Sequence, residues 1–90
     1  MPNNPYIFYS QPEDGRRITI AAIKGEDQYL FGMSICAPCD QFVKKIGRNI
    51  AIGRAQCGQT IFTKSIESTP MKAGEFIEIA NGICTELFGL

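Results

Sequence analysis

Up to Cys36 the apolar residues of this chain recur at every second position, and beyond Pro38 they recur at every third or fourth. A period of two belongs to a strand whose side chains alternate between two faces, and a period near 3.6 belongs to an amphipathic helix. The first part therefore reads as strands. Residues 6–9 are aromatic and β-branched, and they close on "QPEDG" at 11–15, where Pro12 and Asp14-Gly15 are turn formers. Residues 17–24 set Ile18, Ile20 and Ala22 against Arg17, Thr19 and Ala21, and "KGED" at 24–27 is the next turn. Residues 28–36 alternate large (Tyr29, Phe31, Met33, Ile35) with mostly smaller (Leu30, Gly32, Ser34, Cys36), as a strand with one face on a core should.

The second part reads as helix, strand, helix. Phe42, Val43, Ile46, Ile50, Gly53 and Cys57 fall within about 100° of arc at 3.6 residues per turn, which predicts a helix over 39–56 with Gly58 as its stop. A fourth strand is expected at 60–66. Ser68, Thr69 and Pro70 supply a cap and a first-turn proline, and Phe76, Ile79, Ala80, Ile83, Cys84 and Leu87 define a second apolar stripe. The expected architecture is α+β, a mostly antiparallel sheet in the order β-β-β-α-β-α with both helices packed on one face. Gly47 and Gly53 each cost the first helix about 1 kcal/mol against alanine. With Ala51 and Ala55 they thin its middle, so both glycines are expected to be close-packing contacts, with Gly53 inside the apolar arc and Gly47 at its edge.

Ninety residues make one domain, expected at 6–90 behind a flexible tail at 1–5, and a second copy would add burial to a small core. No run is long and apolar enough to span a bilayer and the start lacks the layout of a secretory signal, so a cytoplasmic protein is expected. Nine basic and nine acidic side chains cancel. That removes the whole-molecule field of a strongly basic nucleic-acid binder and leaves any electrostatic recognition to local regions. Histidine is absent, which excludes the usual general base, the Cys-His nucleophile pair and every His-containing metal site.

The stretch "SICAPCDQF" at 34–42 carries the chemistry most worth weighing. A strand followed by C-x-x-C at a helix start is what a thiol-disulfide oxidoreductase needs, because the helix N-terminus stabilises a thiolate. Against that reading, two hairpin-connected strands precede Cys36 where a thioredoxin-like site follows a βαβ strand, and Asp40 beside Cys39 opposes thiolate formation. A zinc site is weaker, for there is no second C-x-x-C, and Cys57 and Cys84 fall on apolar stripes where buried, inert thiols are expected. No metal and no cofactor is expected. No glycine-rich phosphate loop and no nucleophile with a base appear either, so the chain is expected not to be an enzyme.

The stretch "FGMSICAPCDQFVKKIGRNIAIGRA" at 31–55 resembles a group of small phage and prophage proteins of unassigned function. They share an apolar strand, a Cys-x-Pro-like turn and then D-x-F-x-K-K-I-G-R-x-I-A-x-G-R. The residues carried over are Cys36, Asp40, Phe42, Lys44, Lys45, Gly47, Arg48, Gly53 and Arg54. In that group the position of Cys39 is often lysine, which a redox pair could not tolerate. The resemblance implies an accessory factor that binds and redirects or inhibits a host complex in the host cytoplasm, a class that includes anti-defence and anti-CRISPR proteins.

The expected binding residues are Lys44, Lys45, Arg48 and Arg54 on the first helix, with Arg16 and Arg17, and Lys24 nearby, adding basic charge at the hairpins. Glu75, Glu78 and Glu86 make the closing helix acidic. The expected partner is a host protein or protein-nucleic-acid complex, with protein favoured over bare nucleic acid because a neutral chain exerts little pull on phosphates. Charge segregated between the helices also suits a homodimer. Thiol-disulfide exchange at Cys36 and Cys39 is the alternative function.

Overall fold

A computed structural model gives the structure of the chain and describes residues 5–11, 15–37, 41, 43–65 and 71–88. The elements are β1 (Tyr6–Ser10), β2 (Arg17–Lys24), β3 (Gln28–Cys36), α1 (Lys44–Gln56), β4 (Phe62–Ser65) and α2 (Ala73–Phe88). The four strands form one antiparallel sheet in the order β1-β2-β3-β4, so class and element order are as expected. The turn at 12–14 and the cap at 68–70 lie outside the described residues, as does the expected tail apart from Pro5. The first helix begins at Lys44 and not at 39, because Gln41 is not helical and the backbone of Val43 is extended.

The helices do not share a face. Register pairs Ile18 with Ile35, Ile20 with Met33 and Ala22 with Phe31, which puts these side chains on one side of the sheet. Thr19 with Ser34 and Ala21 with Gly32 point to the other. α2 covers the large-residue side, where Phe76, Ala80, Ile83 and Cys84 join Ile18, Ile20, Ala22, Tyr29 and Phe31 in the main core. α1 covers the small-residue side, where the Ser34 hydroxyl donates to the Gly47 carbonyl at 2.9 Å. The small half of the β3 alternation is thus the seat of a helix and not a solvent face.

Aromatic rings and two hydroxyls hold α2 down. Phe76 stacks at 5.2 Å from Tyr6 and 5.9 Å from Phe31. Just ahead of α2, Met71 is clamped from both sides: its N–H donates to the Tyr29 hydroxyl at 3.0 Å, and its carbonyl accepts from the Tyr6 hydroxyl. Lys64 on β4, half-buried, reaches the exposed Glu75 at 2.9 Å, a partly solvated pair worth little on its own.

Candidate functional site

Gly32 positions the first helix. A Cβ built there would lie 2.1 Å from the Ala51 carbonyl oxygen and 2.6 Å from the Ala55 amide nitrogen, so the strand backbone touches the helix backbone and only glycine fits. The buried face of α1 is accordingly Gly47, Ala51 and Ala55, which recur every fourth residue. This corrects the expected apolar stripe. Ile46 is 56% exposed, Ile50 41%, and Cys57 is exposed as well, because the inward direction is taken by residues small enough to let the backbones meet. Gly53, expected as a packing contact, has nothing within 4 Å of where a Cβ would stand. Gly47 is buried against the sheet. The Thr19 hydroxyl, also under α1, is fully buried with no hydrogen-bond partner among the described residues.

Seated this way, α1 presents its cations on two flanks. Lys44 lies over the Tyr9 ring, its Nζ 5.1 Å from the centroid. Tyr9, Ser10, Gln11, Arg17 and Lys44 together line a cavity of about 230 Å³ at the N-terminal end of α1, so β1, β2 and α1 each contribute to one basic, aromatic pocket. Arg48 follows Lys44 one turn later and is exposed, as is Lys45. Arg16, half-buried, precedes Arg17 at the start of β2. Arg54 stands on the other flank, where a guanidinium nitrogen donates to the Met33 carbonyl at 2.8 Å. Lys24 does not join the group, since it ends β2 at the opposite end from Arg17.

Tyr9 and Gln11 had no sequence signal as site residues, because their nearness to Lys44 follows from strand pairing and helix placement. The signal that could have placed α1 was the matching spacing of small residues in β3 and in the helix. The acidic residues of α2 lie across the sheet from α1, with Glu75, Glu78 and Glu86 all exposed.

The cysteines are separate in kind. The Cys36 thiol donates to the Ala37 carbonyl at 3.7 Å and to the Gln41 carbonyl at 3.9 Å. Cys39 lies outside the described residues. Cys84 is buried as expected, and burial pushes its thiol pKa up, opposed by a hydrogen bond with Ser10. Among the described residues no three Cys, Asp or Glu side chains gather closely enough to hold a metal ion, and no helix is long and apolar enough to cross a membrane. Comparison of the chain with protein-family models, curated proteins and solved structures finds no match.

Proposed function

We propose that this protein acts by binding, using the basic N-terminal half of α1 and the adjoining pocket to hold an acidic surface of a partner protein. The observation that carries the reading is the convergence of Arg17 and Lys44, from different elements, on one cavity beside Tyr9. A cation fixed over an aromatic ring keeps its charge outward with less freedom to lose on contact, and Arg17 adds a second positive charge from the sheet. Lys45 and Arg48 widen the basic surface, and α1 carries no acidic residue to oppose it. The neutral net charge favours a protein over a nucleic-acid partner, since phosphate binding draws on an excess of cations.

The resemblance to small phage proteins suggests that the partner is a host complex in the cytoplasm and that binding inhibits or redirects it. The test is affinity purification from host cells with wild-type protein and with Arg17→Glu/Lys44→Glu. The variant changes exposed or half-exposed positions and keeps its fold, judged by circular dichroism. Expected is one specific partner captured by wild type and lost by the variant. Equal capture by a folded variant overturns the assignment of this surface.

A further inference from the structure

β4 pairs with only part of β3. The pairing ends at Phe31, whereas β3 continues to Cys36, so among the described residues no strand lies beside 32–36 on that edge. Two contacts show which backbone groups face outward there. The Phe31 carbonyl accepts from the Ile61 N–H at 2.9 Å, and the Met33 carbonyl accepts from Arg54. In a strand the amide and carbonyl of one residue point to the same edge and successive residues alternate. The Met33 N–H and both backbone groups of Ile35 therefore face the open edge.

Beside this edge lies a groove of about 160 Å³ between β3 and α1, lined by Ser34, Ile35, Val43, Ile46 and Ile50 among others, with no charged side chain among the described residues that line it. Ile35 (44%), Val43 (41%), Ile46 and Ile50 are all strongly exposed. Arg54 follows Ile50 one turn later, and among the described residues one of its guanidinium nitrogens is engaged, by Met33.

We propose that this edge and groove bind an extended acidic segment of a partner protein as an added strand, with an aliphatic side chain in the groove and a carboxylate on Arg54. Outward backbone donors and acceptors at strand spacing are met by another extended backbone and not by a helix. Charge complementarity selects the sequence. α1 holds Lys44, Lys45, Arg48 and Arg54 and no acid, so an acidic strand is attracted, and a second copy pairing through its own β3 edge would bring like charges together. The acidic character of the partner rests on the proposed function, whereas the strand mode rests on β3 alone and uses the opposite flank of α1 from Arg17 and Lys44.

A yeast-displayed library of random peptides, panned against the full chain, supplies the probe. The enriched peptides are expected to alternate aliphatic residues with polar ones and to carry an acid. A synthetic copy should bind at least about tenfold more weakly to Ile46→Asp/Ile50→Asp and to Arg54→Glu, two variants of exposed positions. Arg17→Glu/Lys44→Glu should weaken binding less than either groove variant does, and hydrogen exchange at the Met33 and Ile35 amides should slow on binding. No enrichment above an unrelated protein overturns the proposal, as does binding indifferent to the groove variants. A peptide that loses binding only at Arg17 and Lys44 overturns the strand mode and leaves the basic-surface reading standing.

Discussion

At Gly32 one absent methyl decides how two elements meet. Because the clashing atoms are backbone, Gly32→Ala forces α1 outward, and the expected loss is about 3 kcal/mol, at the upper end for overpacking. Urea unfolding measures it, and a change below about 0.5 kcal/mol would mean that α1 is not seated as described. Gly53 is the contrasting case. With open space at its Cβ position, Gly53→Ala should stabilise by about 0.5 to 1 kcal/mol through helix propensity and a less flexible unfolded chain. Thr19→Val, which removes a buried hydroxyl with no described partner and keeps its shape, should also raise the melting temperature. Cys84 makes stability depend on alkaline pH. Its thiol is raised by burial, so its contribution is full below the ordinary thiol pKa and is lost as pH rises through the folded value, the unfolded chain releasing its proton first. The alkaline fall in urea midpoint should accordingly be smaller in Cys84→Ala than in wild type.

At the scale of elements, α1 is where hydrophobic pattern and structure part. The sheet was legible because strand period and turn residues agree through 6–36, and the α2 stripe was legible because its large residues, such as Phe76 and Ile83, are the ones that pack. In α1 a reading weighted by side-chain size follows Ile46 and Ile50, whereas the interface is governed by backbone approach, which favours Gly47, Ala51 and Ala55. Gly32 and Ser34 opposite them carried the same information, but small residues in a strand also suit a solvent face, so strand and helix had to be read as a pair. The basic residues were legible as a helix surface, and their division into two flanks was not, since it depends on which way the small face turns. For β4, Lys64→Ala should cost about 1 kcal/mol or less because its bridge to Glu75 is open to solvent on the glutamate side. Tyr29→Phe, which leaves the buried Met71 amide without its acceptor, should cost about 1 to 3 kcal/mol. The reverse order in thermal melts would contradict the docking of α2 described above.

Across the whole molecule the two helices separate charge. α1 puts Lys44, Lys45, Arg48 and Arg54 on one side of the sheet, and α2 puts Glu75, Glu78 and Glu86 on the other, so a neutral chain is nonetheless polar from face to face. An acidic partner approaching the α1 side meets a local field that the net charge conceals, and that field is screened over about 10 Å at 0.1 M salt. The most direct measurement is the affinity for the captured partner against ionic strength, in wild type and in Arg17→Glu/Lys44→Glu. Binding through the basic surface predicts steep weakening with salt in wild type and a weaker, flatter dependence in the variant. Equal affinity and equal salt slopes in the two proteins would contradict it.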